Sequence, residues 1–244
     1  MRFHWPLTST PPNLDGEAHV WAIPLTASAE RLRSLEETLS ADEVARAKAF
    51  RIAGLAPRFI AAHGSLRVIL ARYLNERPER LEFGSENRGK PRLLGRQAPE
   101  RLKFNLTHSA DLALLAIVDE CEVGIDVERL REVKDLEPLA ERYFHPTEVR
   151  DIMSARNRQV AFFRLWTAKE AVLKAFGSGI TERLDHFHVP TSETASGWVD
   201  VSRMPSFHQA SQCWVTRLSP GEDFEAAIAF LGPERRVRGF VFDV

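Results

Sequence analysis

Two stretches of this chain, 103 to 105 residues apart, repeat one another in order. Leu39-Ser-Ala-Asp-Glu43-Val44 parallels Phe144-His-Pro-Thr-Glu148-Val149, and Arg67-Val-Ile-Leu-Ala-Arg-Tyr73 parallels Glu170-Ala-Val-Leu-Lys-Ala-Phe176. Each pair is preceded by a strand pattern, so strand, capped helix and long helix recur in the same sequence. Recurrence at a fixed offset constrains the fold strongly, because it implies two similar units with a ligand cleft between them. Residue by residue the match is weak, and amphipathic helices resemble one another by chance. The shared order of three elements is what favours a duplication.

The expected class is therefore α+β, two similar α/β half-domains, each a small, mainly antiparallel sheet with a long packed helix. Residues 1–17, rich in Pro, Thr and Asn, read as an irregular arm. The half-domains are expected at 18–110 and 111–244. In the first, a strand over His19 to Leu25 leads to helices over 29–39 and 57–74. Ser40, with Glu43 three residues on, forms a capping box for another between them. Short strands follow near 81–83, 91–94, 103–107 and 112–118. The second half continues with helices over 136–143, 146–154 and 158–176, and from Phe187 onward alternation predicts an antiparallel meander.

Apolar residues make up 44% and charged residues 27% of the chain, ordinary values for a globular protein. With 33 basic against 34 acidic residues there is no general basic field, which argues against nucleic acid as a partner. Fourteen Lys and Arg lie between 46 and 103, a local excess suited to a phosphorylated small molecule. The bland reading, a solvated surface, covers most of them. Two distant cysteines give neither a disulfide framework nor a zinc site. No apolar run approaches a membrane span, and a cytoplasmic protein is expected.

The chemistry concentrates in VGIDVE (123–128) and WTAKEAVLKAF (166–176). Asp126 and Glu128, two apart in a β-branched run, point to one side of a strand. Glu170 and Lys174, four apart, share one helix face. If strand and helix meet, three carboxylates converge beside an ammonium, a set suited to Mg²⁺ and a pyrophosphate. Gly124 permits a close approach to the strand. Lys169 falls inside the apolar arc of its helix and must find a carboxylate or a phosphate oxygen. Asn87-Arg-Gly-Lys90-Pro91 and Phe104-Asn-Leu-Thr107-His108-Ser109 add cations, hydroxyls and an imidazole, all good phosphate partners.

With RxxxFR (46–51), Arg58 and Arg67, GKP (89–91), FNLTHS, VGIDVE, RYFHPTEV (142–149) and WTAKEAVLKAFGSGI, the chain resembles the phosphopantetheinyl transferases. Among them it is similar to the surfactin-type (Sfp-like) class of two fused half-domains. The resemblance covers roughly 46–187, with Thr107 where the family usually has Ser. It implies transfer of the phosphopantetheine arm of coenzyme A to a serine of an acyl or peptidyl carrier protein, an acidic helical domain, releasing adenosine 3',5'-bisphosphate. By position, Asp126, Glu128 and Glu170 would bind Mg²⁺, and Lys174 with Lys169 would lie against the pyrophosphate. Arg58, Lys90 and His108, with Arg51, would hold the 3'-phosphate and adenine end, beside Pro91 and Thr107. Catalysis would fall to Asp126, Glu170 and Lys174, and the base would be Glu170 or a metal-bound water it orients. The carrier is expected around 143–152, and two halves in one chain imply a monomer. Two other readings stay open: a carrier-binding module with a structural metal site, and a Mg²⁺-dependent nucleotide hydrolase.

Overall fold

The computed structural model describes residues 13–85, 90–95, 101–177, 184–190, 196–202 and 212–242. The first unit opens with strand β1 (Ala18–Pro24), followed by helices α1 (Ala29–Glu36), α2 (Ala41–Ala49) and α3 (Leu55–Leu74). Strands β2 (Glu82–Ser85), β3 (Pro91–Leu94), β4 (Leu102–Ser109) and β5 (Leu112–Asp119) come next, then β6 (Val123–Arg129). Helices α4 (Leu136–Tyr143), α5 (Pro146–Ser154) and α6 (Arg158–Ala175) precede β7 (Gly197–Asp200), β8 (Gln212–Leu218), β9 (Phe224–Phe230) and β10 (Val237–Val241). No helix among the described residues is long and apolar enough to cross a membrane.

Two four-stranded sheets result, ordered β10-β1-β5-β4 and β6-β9-β8-β7, with β2 and β3 as a separate hairpin. Strand alternation explains how they stack. Val20 and Ala22 of β1 and Leu114, Ala116 and Val118 of β5 share a dry layer with Val123, Ile125 and Val127 of β6 and Ile228 of β9. The intervening residues Trp21, Ile23, Leu115 and Ile117 face α3, and on the second sheet Ala227, Ala229 and Val215 face α4 to α6. The order of layers is thus helix, sheet, sheet, helix.

The sequence repeat appears as a repeated staple. Ser40 and Glu43 close their capping box, and Glu43 Oε2 also receives Arg67 Nε at 2.7 Å. Arg67 then donates to the carbonyls of Pro78 and Leu81. In the second half His145 takes the place of Ser40: its ring accepts from the Thr147 amide while its own amide donates to Glu148 Oε2. That glutamate meets Lys169 Nζ at 2.9 Å, and Lys169 donates to the carbonyls of Leu184 and Phe187. The structural counterpart of Arg67 is therefore Lys169, one residue before the Glu170 that sequence pairing selects.

The expected meander holds for β7, β8 and β9, which pair antiparallel with β6 at its edge. The last strand departs from it. β10 crosses to the first sheet and pairs parallel with β1, placing Phe240 stacked on Trp21 at 4.9 Å. β5 also belongs to the first sheet, between β1 and β4. We propose that the half-domain boundary, expected at 110/111, falls instead at the turn between β5 and β6. Of the expected arm, residues 1–12 lie outside the described residues.

Candidate active site

On the α6 side of β6 stand Gly124, Asp126 and Glu128. Gly124 lets the helix come down on the strand: a Cβ there would collide with the Ala171 carbonyl oxygen and the Ala175 amide nitrogen. Those residues are one helical turn apart, and each directly follows one of the pair Glu170 and Lys174 along α6. Close contact at Gly124 therefore delivers the next α6-facing residue, Asp126, to the acid and the ammonium of α6.

Lys174 Nζ donates to Asp126 Oδ1 at 2.6 Å and to Thr107 Oγ1 at 3.1 Å, and the Thr107 hydroxyl donates to the same Asp126 oxygen at 3.1 Å. Asp126 is 5% and Glu170 6% exposed. Asp126 Oδ2 and Glu170 Oε1 are buried without a hydrogen-bond partner among the described residues. Burial pushes the Asp126 carboxyl up, against the pull of Lys174. Glu170 is pushed up to about 7, first by burial and then by the charge of Asp126, with Lys174 acting in the opposite sense. Two buried acids thus face one ammonium and are short of positive charge.

Glu128 completes the row at the rim, accepting from Ser109 Oγ and Arg131 Nη1, each at 2.8 Å. Among the described residues no three His, Cys, Asp or Glu side chains are gathered closely enough to hold an ion. The common-ion geometry expected of Asp126, Glu128 and Glu170 is therefore not preformed, because Lys174 fills the place against Asp126 and Ser109 with Arg131 restrains Glu128. The donor set still fits a hard divalent cation: all ligands are oxygens, two of them are buried orphans, and the charge imbalance has the sign a cation corrects.

β4 positions the remaining groups. Asn105, Thr107 and Ser109 alternate towards β6, where Asn105 Oδ1 accepts from the Ile125 amide at 2.9 Å and Ser109 Oγ from the Arg129 amide at 3.1 Å. Two sheet edges are thereby closed by side chains instead of a ladder. FNLTHS thus forms the end of β4, which runs two residues past the expected 107, and its hydroxyls serve carboxylates. Thr107, expected at coenzyme A, is committed to Asp126 and Lys174.

His108 has the opposite orientation, the parity of Phe104 and Leu106, which pack in the cluster with α3. The His108 side chain is exposed, yet the protein around it lowers its pKa, by partial desolvation first and then by His63, Lys174 and Arg58, against Glu128. Arg58 is exposed in the first turn of α3, Arg51 is exposed on the loop before it, and Pro91 is exposed at the start of β3. Two expected phosphate ligands are occupied elsewhere. Lys90 Nζ bonds Glu122 Oε2 at 2.8 Å and the Val123 carbonyl at 3.0 Å, tying the hairpin to the start of β6. Lys169 is fully buried in its pair with Glu148, because a lysine in an apolar arc is satisfied where the nearest carboxylate is. Gly89 lies outside the described residues. His63 and Asn105 were not singled out as site residues. Asn105 was legible as the alternate partner of Thr107, whereas nothing local marks His63.

Comparison with known proteins converges on one activity. The profile of the 4'-phosphopantetheinyl transferase superfamily matches residues 122–229. The 4'-phosphopantetheinyl transferase HetI of a Nostoc species is 41% identical over 228 residues, which cover 91% of this chain and 92% of that protein. The transferase psf-1 of Bacillus pumilus is 32% identical over 206 residues, 84% of each chain. Sfp of Bacillus subtilis is 26% identical over 171 residues, 69% of this chain and 71% of its own.

Proposed function

This chain belongs to the 4'-phosphopantetheinyl transferase superfamily and moves the phosphopantetheine arm of coenzyme A onto a carrier protein; on that premise we propose that Asp126, Glu170 and Lys174 form its reaction centre. The observation that carries this reading is the pair of buried, unpartnered oxygens on Asp126 and Glu170 beside the Lys174 ammonium. Mg²⁺, held by Asp126, Glu170 and Glu128, would supply charge neutralisation at the pyrophosphate.

Lys174, partly exposed at the mouth of the cluster, donates to a pyrophosphate oxygen while Asp126 and Thr107 fix its direction. The carrier serine oxygen attacks the phosphorus attached to the pantetheine. The bond to the other bridging oxygen breaks, and adenosine 3',5'-bisphosphate leaves with that oxygen. The serine proton passes to Glu170 or to a water it orients; a cation held by the same carboxylate would draw it back down from about 7, so the oriented water is the acceptor we propose. Arg58 and His108 hold the 3'-phosphate end, on the α3 side of β4.

The test is incubation with coenzyme A, Mg²⁺ and a panel of apo carrier proteins, read by intact mass. Addition of one phosphopantetheine arm is expected with the wild type, and none with Asp126→Ala or Glu170→Ala at unchanged far-ultraviolet circular dichroism. Unimpaired labelling by either variant would remove that residue from the mechanism.

A further inference from the structure

We propose that His63 of α3 is a third contact to the 3'-phosphate of coenzyme A, completing with Arg58 and His108 the clamp from which Lys90 is withdrawn. The inference rests on the transfer reading and specifies the nucleotide end of the same site.

The geometry begins with alternation in β4. Phe104 and Leu106 pack in the cluster that backs α3, so His108, two residues further, is delivered to that helix. On the helix, Phe59 and His63 are one turn apart on a single stripe; Arg58, five residues before His63, leaves the helix on another side, and the charges of both act on His108. The His63 ring lies over the Phe59 ring at 4.0 Å and 25°, which fixes its plane. Its Nδ1 faces Glu43 Oε1 at 3.6 Å, which fixes its edge. Glu43 is itself held by the Ser40 amide and by Arg67, so this support is rigid. A ring pinned on a face and on one nitrogen presents its other nitrogen, Nε2, outward, and the side chain is 24% exposed. An orienting carboxylate behind an imidazole is the arrangement that readies the far nitrogen for a ligand.

The surroundings call for an anion. Among the charged groups acting on His108, three are basic, His63, Lys174 and Arg58, and Glu128 alone is acidic. Lys90, the cation that position assigns to the nucleotide end, is neutralised by Glu122. His63 and Lys174 already face Glu43 and Asp126, so a 3'-phosphate would serve first as counter-ion to the exposed Arg58 guanidinium, received there and by the two imidazoles.

The discriminating experiment uses the full-length enzyme with coenzyme A and with 3'-dephospho-coenzyme A, comparing wild type, His63→Ala and His63→Phe. The phenylalanine keeps the stack on Phe59 and controls for folding. Both variants are expected to raise KM for coenzyme A about tenfold, with kcat within about twofold and KM for 3'-dephospho-coenzyme A unchanged. Calorimetric titration of the two nucleotides should show the same contrast without turnover. Equal effects on both nucleotides, or none on either, would overturn the proposal. Binding contrast without carrier labelling by the wild type would instead sink the transfer reading and leave His63 in place.

Discussion

At the scale of single residues, Glu43 carries the sharpest electrostatic consequence. Burial pushes its carboxyl up, but the His63 ring 3.6 Å away, hydrogen bonds from the Ser40 amide and Arg67, and the Arg67 charge outweigh burial and hold it at about 2. An acid depressed on folding stabilises the native state fully above its unfolded value, here about 4.5, and that contribution fades as pH falls through 4.5 towards 2. The contribution is of order 3 kcal/mol at neutral pH. Urea unfolding at pH 7, 5 and 3 should show a steep acid loss for the wild type. Glu43→Gln should be less stable at pH 7 and flatter below pH 5, and parallel curves for the two would contradict the assignment. The role of Glu43 as a cap was legible, since a Ser with a Glu three residues later is a local signal. Its second duty was not: the Arg67 it binds lies 24 residues away, and a helical pattern says which face is buried but not which polar atom waits there.

At the scale of elements, one staple joins α2 to α3 and another α5 to α6, and because the second buries Lys169 against Glu148 we propose that Lys169 is not a phosphate ligand. Both charges of that pair are essentially fully buried. Removing one leaves the other uncompensated, whereas removing both does not. Lys169→Met should therefore cost about 3–5 kcal/mol in chemical denaturation. Adding Glu148→Gln, which keeps the cap acceptor without its charge, should recover most of that loss. KM for coenzyme A should stay at the wild-type value in the folded fraction; a tenfold rise would return Lys169 to the pyrophosphate. Gly124 makes the same point for the β6–α6 contact. Gly124→Ala inserts a methyl between strand and helix backbone, so a loss of about 3 kcal/mol is expected. Displacing Lys174 from Asp126 by about 1 Å should cut kcat on the order of a hundredfold. Denaturation and carrier labelling would measure both. The sequence marked Gly124 as a point of close approach but left open whether a ligand or a backbone approaches, since an absent side chain does not name its neighbour.

At the scale of the whole molecule, the two sheets meet along β4 and β6 without a backbone ladder, and the proposed reaction centre sits on that seam. Duplication was visible in sequence because capped helices carry local signatures. The crossing of β10 to β1 was not, because parallel pairing between residues 18–22 and 237–241 leaves no mark on either segment. The seam was half visible: the D-x-E and N-x-T-x-S alternations are periodic, but their mutual register is set by the shared apolar layer beneath them. Asn105 tests whether the seam positions the chemistry. Its Oδ1 accepts from the Ile125 amide, in a residue only 6% exposed. Asn105→Ala leaves that amide buried and unpaired, so a loss of about 1–3 kcal/mol is expected. Because the apolar layer still joins both sheets, unfolding should remain one transition, with tryptophan fluorescence and far-ultraviolet circular dichroism coincident. The same substitution frees β4 to slide against β6, separating Thr107 from Asp126 and weakening the support of Lys174, so kcat should fall while KM for coenzyme A, set on the α3 face of β4, changes little. Full kcat in a destabilised Asn105→Ala protein would mean that β6 and α6 assemble the centre without the first sheet.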